Sequence, residues 1–359
     1  MNQIYSRQLG ILLFIFLLGS ALVYVPESVI TQDVWVATTL ATLVGLYLLY
    51  VLLTIQEMHP DLNIMQVAEL SMGRIVGKFF NLLFLWGLLM ATILLLFDIV
   101  LLLQIIYPKV PSTFLTASLV LLSGYTIFKG ISSGARLADL YIWLILPLLI
   151  LGFAVAATLF NPMYIPPVLA KIKPIIGASI YGANWPFGEM IVIALYLPFV
   201  IDLKRNKKKL YFWFGLAALV LILRSFMVLG ALYPEYLKVA RFPFYEIFRL
   251  VTFQDFQRIE LFFFALFISV GLGAVLIAYN ALNLGIRTFF ALGGGFSLVF
   301  PVGLLIIALM FNSFPSDIKY LANQANSGFL VTLPIYILYP TITLIAAKIK
   351  QKLKEKTRN

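Results

Sequence analysis

Cysteine is absent from the 359-residue chain, His59 is its only histidine, and charged residues make up only 11%. Without cysteine, disulfide bonds, thiol catalysis and thiolate metal sites are excluded. A single histidine leaves no common zinc-ligand set. The sequence also has no Walker A motif, and Gly271-Leu272-Gly273-Ala274 lacks the third glycine of a dinucleotide-binding loop. We therefore expect no metal, no cofactor and no enzymatic activity.

Hydrophobic residues are what the chain has in excess: they make up 62% of it, and the mean hydropathy is +1.01. Apolar runs of about 20 residues recur along the whole length, and each can cross the roughly 30 Å of bilayer hydrocarbon. The net charge of +11 would suggest a nucleic-acid partner in a soluble protein. Here the basic residues lie in short loops and in the C-terminal tail. Membrane topology and anionic lipid explain them, so we expect membrane lipid and no nucleic acid as a partner.

The apolar runs predict ten transmembrane helices. The first is expected to be a retained span, since only Arg7 precedes it and no A-x-A-like cleavage site is present. With the N-terminus in the cytoplasm, the inner segments hold 17 Lys and Arg residues and the outer loops hold 8, which favours both termini inside. The predicted spans are 9–29, 34–55, 79–106, 112–128, 137–160, 175–201, 210–232, 259–284, 296–311 and 328–347.

The sixth run, 175–201, is interrupted at its middle by Tyr181-Gly182-Ala183-Asn184-Trp185-Pro186-Phe187-Gly188-Glu189. Proline lacks a backbone N–H and its ring clashes with the preceding turn, so a continuous helix is not expected here. Unpaired backbone groups at this depth are tolerated only where protein or a wet cavity covers them. The stretch therefore predicts one wall of a binding site. The alternative is a proline kink with a snorkelling glutamate.

The two halves of the chain follow the same plan. Span 1 is interrupted by Gly19-Ser20-Ala21, with Pro26 nearby, as span 6 is interrupted at its middle. Each half has a long amphipathic insert between its second and third spans, at 56–78 and 233–258. Because five spans per half is an odd number, the halves must have opposite orientations. This predicts a single-domain, all-α membrane protein with a 5+5 inverted repeat, about 1–160 and 175–350, and a site between broken helices 1 and 6.

Several motifs resemble a known family: Ile4-Tyr5-Ser6-Arg7-Gln8 before Gly19-Ser20-Ala21, Tyr164-Ile165-Pro166-Pro167, Gly177 before Trp185-Pro186-Phe187-Gly188-Glu189, Arg241-Phe242-Pro243 and Glu260-Leu261-Phe262-Phe263. The layout resembles the amino acid–polyamine–organocation permease superfamily. Within it, the whole chain is similar to the spore germinant-receptor B subunits. The resemblance implies a ten-helix permease fold in the spore inner membrane that senses an amino acid, nucleoside or sugar. It also implies two partners, a membrane A subunit and a lipoprotein C subunit.

Two carboxylates at membrane depth are the leading site candidates, because charge in a bilayer is costly. Glu189 ends the interruption of span 6, where it binds a ligand amine or a proton, or caps a half-helix N-terminus. Asp98 lies deep in span 3, which the resemblance places beside a central cavity. The alternative for Asp98 is a structural ion pair with Arg224 of span 7, the only basic residue inside a predicted span.

Small residues and aromatic residues complete the predicted site. Gly19, Ser20 and Ala21 offer small side chains and backbone N–H groups that suit a ligand carboxylate, although close helix packing explains them as well. Glu27, at the outer end of span 1, is expected to be solvated. The other predicted ligand-binding residues are Tyr181, Gly182 and Asn184 on span 6, with Phe97 and Tyr279 as aromatic walls and Tyr24 as a further aromatic candidate.

Three functions fit these observations. The first is a membrane subunit of a germinant receptor, with a small molecule, first of all an amino acid, bound between spans 1, 3, 6 and 8. The second is an autonomous amino-acid permease coupled to H⁺ or Na⁺, with Asp98 or Glu189 as the coupling group. The third is a scaffold with a vestigial pocket. The short C-terminal tail favours the receptor subunit, because any signal must then pass through partner subunits.

Overall fold

A computed structural model describes residues 3–25, 32–237, 240, 242–251, 260–293, 298–313 and 328–358. Over these residues the regular structure is helical, with one isolated backbone bridge between Ile4 and Val200. The α-helices are α1 (Ser6–Leu18), α2 (Val34–Met58), α3 (Ile64–Met72), α4 (Arg74–Ile106), α5 (Ser112–Phe128), α6 (Ile131–Ala157), α7 (Ile172–Asn184), α8 (Leu203–Asn206), α9 (Lys208–Ala231), α10 (Pro234–Leu237), α11 (Pro243–Leu250), α12 (Glu260–Phe289), α13 (Val299–Ser313) and α14 (Gly328–Arg358). Shorter 3-10 segments cover Ser20–Leu22, Pro162–Tyr164, Glu189–Leu195 and Leu197–Phe199.

Within the described residues, six helical stretches are long and apolar enough to cross a bilayer: Val34–Met58, Arg74–Ile106, Ile131–Ala157, Lys208–Ala231, Phe263–Phe289 and Val331–Leu353. Shorter apolar helices cover Ser6–Leu18, Ser112–Phe128 and Val299–Asn312. The chain is therefore an all-helical integral membrane protein. Spans 2 and 4 begin at the predicted residues, Val34 and Ser112. The total of ten spans and the inverted 5+5 arrangement stay predictions.

The two polar inserts also contain helices. In the first, the Asn63 side chain accepts N–H bonds from Met65 and Gln66, and Gln66 bonds back to the Asn63 N–H. This capping box fixes the start of α3. Helix α4 begins at Arg74, so the third span starts earlier than the predicted residue 79. Pro26, Glu27 and Arg241, which entered the sequence argument, lie outside the described residues.

Helix α1 lies at the centre of the bundle, and every residue from Leu9 to Leu18 is buried. It packs mainly on α9 and α12. Gly10 permits the close approach of α9, because a Cβ at this position would lie 2.3 Å from Cδ1 of Trp213. A helix that is apolar on all faces is a buried one. The interruption that follows α1 therefore lies in the interior of the protein.

The N-terminal segment is bonded to the end of the sixth run. The N–H of Ile4 donates to the Phe199 carbonyl at 3.0 Å, and the Ile4 carbonyl accepts from the N–H of Ile201 at 3.1 Å. The backbone N–H and the hydroxyl of Ser6 both donate to Oδ1 of Asp202. We call this contact the N-terminal latch (residues 4–6 and 199–202). It joins the two interrupted runs at one end of the bundle.

Candidate functional site

The sixth run is interrupted where the sequence predicts it, between the end of α7 and the 3-10 segment Glu189–Leu195. The N–H of Trp185 donates to the Tyr181 carbonyl at 3.0 Å, and the N–H of Phe187 donates to the Gly182 carbonyl at 3.4 Å. These bonds satisfy part of the open backbone of the turn. The segment beyond the break, Glu189–Leu195, is a 3-10 helix.

The first helix is interrupted at Gly19, and a 3-10 turn covers Ser20–Leu22. The N–H of Gly19 donates to the Ile15 carbonyl at 2.9 Å. It is therefore not available to a ligand carboxylate, contrary to the expectation from the sequence. A Cβ on Gly19 would lie 3.0 Å from the Cβ of Ala274 on α12. Gly19 thus allows close helix packing. Of the three residues predicted to bind a ligand carboxylate at this break, Ser20 and Ala21 of the 3-10 turn are left as candidates.

The two interruptions lie against each other. The ring of Tyr24, just beyond the first interruption, lies 5.2 Å from the ring of Trp185 in the second, measured between centroids. The planes are tilted by 43°, so the rings are not stacked. This contact and the N-terminal latch hold the first and sixth runs together at two levels of the bundle.

Asp98 and Glu189 are both buried in the interior, within electrostatic range of each other. Leu95 of α4 lies against Gly19, and Asp98 is about one helical turn further along α4. Asp98 is 5% exposed and lies near enough to Glu189 for the two carboxyl groups to interact electrostatically. The structure therefore brings together the first interruption and both of the predicted carboxylates.

Glu189 is the first residue of the 3-10 segment and is only 4% exposed. Its Oε2 atom has no hydrogen-bond partner within the described part of the chain. Leaving a buried carboxylate oxygen without a donor is costly, so the position suits a donor supplied by a bound molecule. The first turn of a helix also favours a carboxylate, and the capping role therefore remains an alternative.

Helix α14 forms a further side of the second interruption. The hydroxyl of Thr332 donates to Oδ1 of Asn184 at 2.8 Å. One turn later, the Tyr336 hydroxyl donates to the Gly87 carbonyl at 3.1 Å, and the Tyr336 ring lies against Gly188. Our reasoning from sequence missed Thr332 and Tyr336. Their signal was an i, i+4 pair of polar side chains on one face of an apolar run.

Arg224 of α9 faces the first interruption and is 1% exposed. Its Nη1 donates to the carbonyl oxygens of Ala21 and Tyr24, the latter at 2.7 Å, and its Nη2 donates to Oγ of Ser225 at 2.8 Å. Both carbonyls lie beyond the last regular turn of α1, so the guanidinium supplies hydrogen bonds that the helix does not. The ion pair of Arg224 with Asp98 stays a prediction.

The two predicted aromatic walls lie in different places. Phe97 is buried on α4, next in sequence to Asp98. Tyr279 of α12 donates its hydroxyl to the Val299 carbonyl and lies against Gly303 on α13. The hydroxyl of Tyr279 therefore joins α12 to α13, and the structure does not group it with the residues of the two interruptions.

Two cavities lie near the ends of the transmembrane runs. One of about 810 Å³ opens beside the N-terminal latch and is lined by Gln56, Glu57, Asp61 and Asp202 among others. The other, of about 520 Å³, lies between α2, α3 and α14. The binding site predicted between the two interruptions stays a prediction.

An all-helical membrane bundle whose first and sixth runs break opposite each other defines a permease-like protein. The crystal structure of MhsT in complex with L-phenylalanine, a protein of the LeuT fold, matches 97% of this chain and 99% of its own, with a TM-score of 0.59 and 14% sequence identity. At this level of identity the likeness concerns the fold.

The chain belongs to the spore germination protein family, since the spore permease model, described as "Spore germination protein", matches residues 3–311. It is also 26% identical to Spore germination protein KB of Bacillus subtilis (strain 168) over 364 residues, which cover 99% of this chain and 97% of that protein. The family predicted from the sequence motifs is thereby confirmed.

Proposed function

We propose that this protein is the membrane subunit of a spore germinant receptor and binds a small-molecule germinant between its two interrupted helices. The observation that carries the proposal is Glu189: its carboxylate is buried at the break of the sixth run, and Oε2 lacks a hydrogen-bond donor in the described part of the chain. The family and the similarity to Spore germination protein KB support a role in germination.

The charge of the site favours an amino acid as the germinant. Glu189 and Asp98 provide two buried carboxyl groups within electrostatic range of each other, in a medium of low dielectric constant where a ligand ammonium gains most from the attraction. Nucleosides and sugars bring no such cation. MhsT, the similar structure, contains L-phenylalanine, which is consistent with this choice of ligand class.

Signalling requires a second conformation. A ligand shifts a conformational equilibrium only by its different affinity for the two states. We propose that the germinant favours one arrangement of the interrupted helices, and that A and C subunits in the spore inner membrane transmit the change. In this proposal both termini are cytoplasmic and the ten spans form two inverted halves.

An autonomous amino-acid permease coupled to H⁺ or Na⁺ is the second candidate. The observation that favours it is the LeuT fold of the chain, which supplies the architecture of a carrier. Asp98 or Glu189 would then be the coupling group, and no partner subunit would be needed.

The test uses the purified full-length protein in lipid nanodiscs and in proteoliposomes. Thermal-shift screening against amino acids, nucleosides and sugars is expected to give a stabilising amino acid in the nanodiscs. Absence of uptake of that labelled amino acid, together with loss of the germination response on deletion of the gene, supports the receptor. Concentrative uptake supports the permease. No stabilisation by any of the three classes would contradict a ligand site of either kind.

A further inference from the structure

Arg224 has the largest of the fully buried side chains in the described part of the chain. A permanent charge at membrane depth is costly and is retained only where it has a function. The two carbonyl groups that it contacts, those of Ala21 and Tyr24, belong to the interrupted segment after α1. The proposed ligand chemistry does not use it.

The guanidinium is anchored on its far side. Its Nη2 donates to Oγ of Ser225, and that hydroxyl also donates to the Leu221 carbonyl at 3.0 Å. The Ser225 hydroxyl shares a further hydrogen bond of 3.0 Å with Oγ1 of Thr38 on α2. Helices α2 and α9 therefore fix the cation, and its Nη1 side is directed to the interruption.

Carbonyl oxygens at a helix break carry partial negative charge and attract a cation. The C-terminal end of α1 adds its dipole in the same sense. In transporters with broken helices, such unwound carbonyls and half-helix ends coordinate Na⁺. Here the carbonyls of Ala21 and Tyr24 already have a cation, which is covalently attached to the chain and stays protonated at all physiological pH values.

We propose that Arg224 is a tethered cation that takes the place of a bound metal ion at the first interruption. The protein then holds this segment in its bonded conformation without Na⁺. A consequence for ligand binding, namely a germinant affinity that does not depend on Na⁺, rests on the proposed function. The consequence for stability does not rest on it.

The experiment measures thermal unfolding of the purified full-length protein in nanodiscs without any germinant. Buffers contain NaCl or choline chloride at equal ionic strength. We expect the same Tm for the wild-type protein in both salts. Because both carbonyls accept from one nitrogen atom, a lysine ammonium can serve both, so Arg224→Lys should retain most of the stability. Arg224→Gln, which removes the charge, should lower the Tm by roughly 5–10 °C.

The matched control is Arg136→Gln, which removes an exposed arginine of α6 and should leave the Tm unchanged. A wild-type Tm that is higher in NaCl than in choline chloride would overturn the proposal, since a metal ion would then be bound. Equal loss in Arg224→Lys and Arg224→Gln would overturn it too, because the charge would not be what matters. If Arg224→Gln does not accumulate, two measurements still test the proposal: the Tm of the wild-type protein in the two salts, and the Tm of Arg224→Lys.

Discussion

Oδ1 of Asp202 accepts two hydrogen bonds from Ser6, one from the backbone N–H at 2.6 Å and one from the hydroxyl at 2.8 Å. Oδ2 of the same carboxylate accepts from the Asn206 side chain at 2.7 Å. Burial alone would raise the pKa of Asp202, but the hydrogen bonds from Ser6 and Asn206 outweigh it and lower the pKa below its ordinary value. The N-terminal latch therefore depends on a carboxylate that is held in its charged form.

Ser6→Ala is expected to weaken this latch. The substitution removes the hydroxyl bond and leaves the backbone bond, so the loss should be about 1.5–3 kcal/mol, the range for a bond to a charged acceptor. The measurement is the thermal unfolding of the purified protein. Ser133→Ala is the control, because among the residues that the structure describes the Ser133 hydroxyl bonds only to the Lys129 carbonyl of its own helix start. Equal effects of both substitutions would contradict a special role for Ser6.

Acid should weaken the same contact. Because the folded-state pKa of Asp202 is lowered, its contribution to stability is present above the ordinary value of 3.8 and is lost as the pH falls through the lowered pKa. The difference in Tm between wild type and Asp202→Asn should therefore be constant at neutral pH and shrink below that value. Asp61→Asn, at an exposed position beside the latch, is the control. A difference that persists unchanged into acid would contradict the argument.

Gly188→Ala should distort the second interruption. A Cβ at this position would lie 2.6 Å from the Asn184 carbonyl oxygen and 2.7 Å from that of Ala183, and backbone atoms cannot give way easily. Overpacking of this kind costs about 1–3 kcal/mol. Gly177→Ala on the same run is the matched control, since its added Cβ would meet no atom of the described residues within 4 Å beyond its own helical turn. The Tm of Gly188→Ala should be lower than the Tm of Gly177→Ala. Equal Tm values would show that the turn is looser than described.

Glu189→Gln should abolish stabilisation by the germinant while the protein still accumulates. The amide keeps the shape of the carboxylate and loses its charge, so an ammonium group loses its main attraction. Gly182→Leu should also impair the response, because it places a large side chain in the wall of the proposed site. The exposed Glu235→Gln is the control. Normal ligand-induced shifts in both Glu189→Gln and Gly182→Leu would show that the ligand binds elsewhere.

Asn184 and Thr332 should be energetically coupled. Their side chains share a hydrogen bond of 2.8 Å between α7 and α14. A double-mutant cycle with Asn184→Ala and Thr332→Val should give an interaction energy of about 1 kcal/mol. A parallel cycle pairs Asn184→Ala with Thr343→Val, whose hydroxyl bonds within its own helix to the Tyr339 carbonyl. Additive losses in the first cycle would contradict the coupling.

The sequence predicts the interruptions well because their causes are local. Pro186 cannot continue a helix, and the small residues around Gly19 weaken one, so both breaks lie where the pattern indicates. The first residues of α2 and α5 follow in the same way from the change between polar and apolar residues. Local motifs, among them the cluster at 185–189, also predicted the family, which the match over residues 3–311 confirms.

The contacts of the site depend on distant residues, which periodicity does not reveal. Arg224 bonds to carbonyls about 200 positions away, and Thr332 bonds to a residue 148 positions away. The sequence could indicate that Arg224 needs a partner in the membrane, but the obvious choice was a carboxylate. Gly19 likewise was a candidate donor to a ligand, whereas its N–H completes the last turn of α1.

The contact between Tyr24 and Trp185 gives the protein an intrinsic optical reporter. Indole emission responds to the polarity and to the quenching groups around the ring, and this indole lies at the meeting point of both interrupted runs. Any separation of these runs changes its surroundings. Replacement of the other four tryptophans by phenylalanine would leave a single emitter with which the motion can be followed in real time, without a dye.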